Sequence, residues 1–88
     1  MHLKHTFETM ELDDQIVAVP VGERAAELRG VIKMNETSAF IFECLKTETS
    51  EEAIVDVLSK EYNAPLQVLK NDVHQYIESF RERGLLIE

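Results

Sequence analysis

The apolar positions change their spacing about a third of the way along the chain. From Phe7 to Leu12 and from Gln15 to Val21 the pattern is that of strands. The two runs are separated by Asp13-Asp14, whose carboxylates suit a tight turn, so together they predict a hairpin. Pro20 has no N–H to give to a ladder and belongs at a strand end or on an edge. A polar loop with some helix-forming character, Gly22 to Arg29, leads to a short third strand from Gly30 to Met34.

Beyond Met34 the spacing becomes helical. Asn35 is a good N-cap for a first helix from Glu36 to Lys46, apolar on nearly every face and therefore central. Thr49 and Glu52 read as a capping box for a second helix, Ser50 to about Tyr62, with Ile54, Val55, Leu58 and Tyr62 at core spacing. Asn63-Ala64-Pro65 is a break, and Pro65 suits the first turn of a third helix that runs to Arg83. Leu66, Leu69, Val73, Tyr76 or Ile77, and Phe80 form its buried stripe, and Gly84 stops it. Leu85-Leu86-Ile87 then packs back or forms a terminal strand. The fold class expected is α+β, with a three-stranded antiparallel sheet followed by three helices. All 88 residues fit one domain, without repeats, low-complexity tracts or a linker.

The charge narrows the range of partners. A formal net charge of −8 repels phosphate, which argues against nucleic acid and against anionic membranes. No apolar run approaches the ~20 residues that span a bilayer, and the N-terminus has no secretory h-region. The single cysteine, Cys44, allows no disulfide within the chain and fits a reducing compartment. These features together predict a cytoplasmic protein.

No residue constellation carries enzyme chemistry. His2 and His5 lie near a terminus expected to fray, without the Cys or carboxylate spacing of a metal site. His74 is expected on or beside the solvent face of the third helix, with no evident triad partner. Cys44 sits in an apolar helix with no adjacent base or cation, and reads as a small core hydrophobe. Glu51 and Glu52 open a helix, where negative charge is favoured. The three glycines do not make a phosphate loop. The reading is a non-enzyme with no cofactor and no metal.

Binding is better supported. A three-stranded sheet has two edges, and an edge offers unpaired N–H and C=O groups to which an extended peptide can add. Along the third strand Val31 and Lys33 share one face and Ile32 and Met34 the other. Periodicity alone leaves two readings: an open edge, or one covered by a helix or the C-terminus.

The run from Leu28 to Leu45, including Lys33-Met34-Asn35-Glu36-Thr37-Ser38-Ala39 and Phe40-Ile41-Phe42-Glu43-Cys44-Leu45, resembles the PqqD family. So do Thr49-Ser50-Glu51-Glu52 to Tyr62, Asp72-Val73 to Arg83-Gly84-Leu85-Leu86, and upstream Ile16 to Gly22. The likeness covers the chain from about Phe7 onward, and the order and spacing of the motifs carry it. Met34 stands where the family usually has Leu, Ser38 where it has Gly, Phe42 where it has Trp, and Cys44 where Leu is common.

The resemblance implies a winged-helix-like recognition element for the leader segment of a ribosomally made precursor peptide. The leader would add beside the third strand, pack against the last helix, and be presented to a modifying enzyme, often a radical S-adenosylmethionine enzyme. Carried over, the groove is expected to be lined by Val31, Ile32, Lys33 and Met34, facing Lys70, His74 and Ile77. The alternatives are a winged-helix DNA-binding regulator, or an adaptor that binds only its enzyme. The second and third helices would make a helix-turn-helix, but Lys70, Arg81 and Arg83 are offset by Asp72, Glu78 and Glu82. Self-pairing into a homodimer through the open edge is a further expectation.

Overall fold

A computed structural model describes residues 1–88 apart from Arg24, Arg29 and the side chain of Glu27. The elements run β1 (His2–Leu3), β2 (Thr6–Leu12), β3 (Gln15–Val21), a 3₁₀ turn (Ala25–Glu27), β4 (Ile32–Met34), α1 (Glu36–Cys44), α2 (Glu51–Glu61), α3 (Leu66–Glu82) and β5 (Leu86–Ile87). β2, β3 and β4 form an antiparallel sheet in that order, and β1 pairs with β5 in a separate ribbon. The expected sheet and helices are thus present, with the third strand shortened to three residues. The expected polar loop contains the 3₁₀ turn, while its two arginines lie outside the described residues.

The hairpin fixes the direction of the backbone groups throughout the sheet. Asp13 takes φ 54, and Asp13-Asp14 joins Leu12 to Gln15, which are register partners. A two-residue turn closes on a pair that exchanges hydrogen bonds. Alternation from that pair turns Gln15, Val17, Val19 and Val21 toward β2, and Ile16, Ala18 and Pro20 away from it. Pro20 therefore lacks its N–H where β2 does not need one. Because Ile16 faces Met34 and Ala18 faces Ile32, Ile32 and Met34 bond inward. The N–H and C=O groups of Val31 and Lys33 point to the open side.

The core lies between the sheet and the helices. Phe7, Ala18, Ile32 and Met34 pack against Ile41, Phe42 and Leu45, then against Ile54, Leu58, Val73, Ile77 and Phe80. Phe42 is at its centre, edge to face with Phe7 at 5.2 Å and with Phe80 at 6.1 Å. Asn35 caps α1 by accepting from the Ser38 N–H at 2.8 Å. Ser50, not Thr49, caps α2, accepting from Ala53 at 3.2 Å. Thr49 is committed elsewhere: its N–H bonds Met1 O at 2.9 Å and its C=O accepts from the Met1 ammonium at 2.8 Å.

That contact corrects the expectation of a frayed terminus. Leu3 N–H donates to Leu45 O at 2.9 Å, and Lys4 N–H to Leu85 O at 2.8 Å. Glu48 bonds the Met1 ammonium and His2, and both hold its carboxyl below the usual range. His5 is buried beside Phe7. The C-terminal run both packs back, through buried Leu85, and forms a strand.

Gly84 ends α3 at φ 70, with Gly84 N–H bonding Arg81 O and Leu85 N–H bonding Phe80 O, a Schellman arrangement. An added Cβ would meet nothing within 4 Å. Gly84→Ala should therefore cost only the left-handed backbone penalty, roughly 1–2 kcal/mol. Denaturant unfolding checks this, and a much larger loss would mean the cap depends on a packing contact.

Candidate functional site

β4 is an end strand of the sheet, and its two faces differ sharply. Ile32 and Met34 are buried in the core, whereas Val31 is 45% exposed and Lys33 is exposed. The residues whose backbone groups point outward are therefore also the ones whose side chains are accessible. Next to this edge stands one flank of α3. Tyr76 donates its hydroxyl to Met34 Sδ at 3.6 Å and stacks on Phe80 at 4.5 Å. Burial pushes the Tyr76 phenol well above its ordinary range, so it remains a neutral donor. Asp72, Gln75 and Tyr76 face Asn35, Thr37 and Ser38 at the start of α1 across a cleft of about 440 Å³. Edge and cleft together offer a strand template beside a wall with polar groups.

The residues expected from α3 fall elsewhere. Ile77 is fully buried in the core and cannot line an open groove. Lys70 and His74 lie on the opposite flank, with Leu66, against Glu51, Val55 and Ser59 of α2. His74 Nδ1 meets Glu51 Oε1 at 2.9 Å. Of the seven residues, the structure thus brings together Val31, Ile32, Lys33 and Met34, and separates Lys70, His74 and Ile77 from them. Asp72, Gln75 and Tyr76, which the sequence pattern did not single out for the groove, occupy the flank beside Met34. Once Leu69, Val73, Ile77 and Phe80 define the buried stripe, positions 72 and 76 fall on one flank and 70 and 74 on the other, but the pattern alone does not say which flank adjoins β4.

Other candidate chemistry is placed as follows. Cys44 is half-buried, and burial, then the Glu43 carboxylate, raises its thiol above the ordinary value. Alkylation by iodoacetamide at neutral pH should be about threefold or more slower than that of a small free thiol. Mass spectrometry reads this, and an equal or faster rate would contradict the assignment. Among the described residues no group of three or more His, Cys, Asp or Glu is placed to hold a metal ion. No helix among them is long and apolar enough to cross a membrane.

The profile of the family described as Coenzyme PQQ synthesis protein D (PqqD) matches residues 20–86. The chain belongs to the PqqD family. That stretch of the PqqD domain begins at the end of β3 and takes in β4 and all three helices, so it contains the edge and the α3 flank just described. Two solved structures are similar in fold. One is TbiB1 in complex with the TbiA(beta) leader peptide, with TM-score 0.72 and 17% identity, covering 98% of this chain and 94% of that one. The other is lasso peptide synthetase B1 complexed with the leader peptide, with TM-score 0.69 and 20% identity, covering 99% and 96%. No curated protein matches the chain by sequence.

Proposed function

We propose that this PqqD-family domain is a non-catalytic recognition element. It holds the leader segment of a ribosomally made precursor peptide as a strand added to β4 and presents it to a modifying enzyme. The observation that carries this is the β4 edge, where Lys33 turns its backbone groups to the open side while Met34, on the helix-facing side, meets Tyr76 of α3. Family membership supports it, as does the fold shared with two proteins whose structures contain leader peptides. The peptide's other wall is then Asp72, Gln75 and Tyr76 rather than Lys70, His74 and Ile77.

A catalytic role finds no advocate in the side chains: the Cys44 thiol is held protonated, and His74 is paired with Glu51 on an exposed surface. A radical S-adenosylmethionine enzyme is the partner the family resemblance favours. The DNA-binding alternative has no support. The α3 flank beside β4 carries Asp72, and Arg81, the single arginine within α3, is paired with Glu78 and Glu88. The test is hydrogen exchange with and without synthetic leader segments of candidate precursor peptides. Val31 and Lys33 amides should gain protection on binding, while Ile32 and Met34 are already protected. Protection confined to another element, or none, would reject strand addition at β4.

A further inference from the structure

The core-facing side of the β2–β3 hairpin extends past the helical layer that covers it. Phe7 and Ala18 are buried, but Thr9, Glu11 and Ile16, on the same side of the sheet by alternation and register, continue beyond the core. They meet Phe40 of α1 and Tyr62 at the end of α2 around a depression of about 500 Å³. Its floor is apolar: Phe40 and Tyr62 pack edge to face at 5.9 Å, and Ile16 is half-buried.

Its rim is acidic. Glu11, Glu36, Glu43 and Glu61 surround it, and among the described residues Glu43 alone of the four has an ion-pair partner, Lys46 at 2.8 Å. The sequence contains no Lys or Arg between Lys4 and Arg24, so Glu8, Glu11, Asp13 and Asp14 leave the hairpin uncompensated. The depression also borders the outer edge of β2. By the same alternation that orients β4, Phe7, Thr9 and Glu11 turn their backbone groups away from β3.

We propose that this face is a second docking surface, for an extended basic segment of a protein partner. The segment pairs with β2 and sets a Lys or Arg side chain over the Phe40–Tyr62 floor, between the carboxylates. The floor supplies apolar and cation–π contact, and the rim supplies the charge. A second copy of this chain fits poorly, because pairing β2 with β2 would double the acidic charge of Glu8 and Glu11 along one edge and add no Lys or Arg from either hairpin. In the sheet order β2 lies at the opposite edge from β4, so this surface goes beyond the leader-binding reading and does not depend on it.

The test uses ¹⁵N-labelled protein titrated with a synthetic peptide of alternating Lys and Val, and with its Glu-Val counterpart. The Lys-Val peptide should shift the amides of Thr9, Glu11, Phe40 and Tyr62 and leave Val31 and Lys33 in place. The Glu-Val peptide should not bind. Glu11→Lys with Glu61→Lys should weaken binding about tenfold. The pair Glu52→Lys and Glu82→Lys, with the same change in net charge, should stay within about twofold. Unchanged amides of the core residues Ile54 and Ile77 verify that each variant is folded. Equal weakening by both pairs would reduce the effect to general charge attraction and overturn the proposal. Shifts centred on Val31 and Lys33, no binding at all, or concentration-dependent shifts at Thr9 without peptide would also overturn it. The last of these would assign the face to a second copy.

Discussion

Lys33→Pro should leave the melting temperature nearly unchanged and weaken leader binding about tenfold or more, whereas Ile32→Pro should lower the melting temperature by about 12 °C or more. The contrast follows from the two-residue turn at Asp13-Asp14, which sets the hydrogen-bond alternation across the hairpin and into β4. Lys33 gives its N–H to the open edge, so proline there removes no bond within the sheet, only one available to a peptide, worth ~1.5 kcal/mol or about tenfold in affinity. Ile32 gives its N–H to β3. Proline there leaves the Ala18 carbonyl without its partner, about 1–3 kcal/mol, and discards a side chain that is only 8% exposed. With packing included the loss should exceed ~3 kcal/mol, or about 12 °C in Tm for a domain of this size. Thermal melts and leader-peptide titrations of both variants check it. Similar behaviour of the two would mean that β4 is not read as an edge.

Phe42→Ala should be the most damaging single truncation. Phe42 is fully buried and touches aromatic partners from two other elements, Phe7 of β2 and Phe80 of α3. Removing the ring forfeits its transfer free energy and leaves a cavity between sheet and helices, ~3–5 kcal/mol in total. Native domains of this size have only ~5–15 kcal/mol of stability. The variant should therefore melt at least ~12 °C lower, and a part of it should be unfolded at modest denaturant. A loss below ~1 kcal/mol would show that the core relaxes around the gap. The natural Phe, where the family usually has Trp, sits in a site with no exposed surface, so Phe42→Trp should also destabilise, by overpacking of ~1–3 kcal/mol.

Much of this architecture is legible in the residues because local physics decides it. The hairpin follows from two apolar runs around Asp13-Asp14, α1 from the cap at Asn35, and the end of α3 from Gly84. What was not legible depends on tertiary partners. β1 is two residues long, too short for any periodicity, and exists only because Leu3 finds Leu45 and Leu86. Thr49 has the chemistry of a cap as good as that of Ser50, and the contact with Met1 decides between them. At the candidate site, the strand could be placed because β4 directly precedes a well-signalled helix. The helix half could not, because both flanks of α3 are polar, and only the packing of the helix on the sheet puts Tyr76 beside Met34 and His74 beside Glu51.

The β1–β5 ribbon has a kinetic consequence. It joins the two most distant parts of the chain, so nearly the full loop-closure entropy must be spent before its first hydrogen bond forms. The β2–β3 hairpin and the α2–α3 pair, by contrast, are contacts between neighbours in sequence and can assemble early. The ribbon is then the last piece to close and the first to open. Its opening releases Leu3 from Leu45 and Lys4 from Leu85 without breaking any bond of the three-stranded sheet. The domain can thus loosen at its seam while both edges of its larger sheet keep their shape.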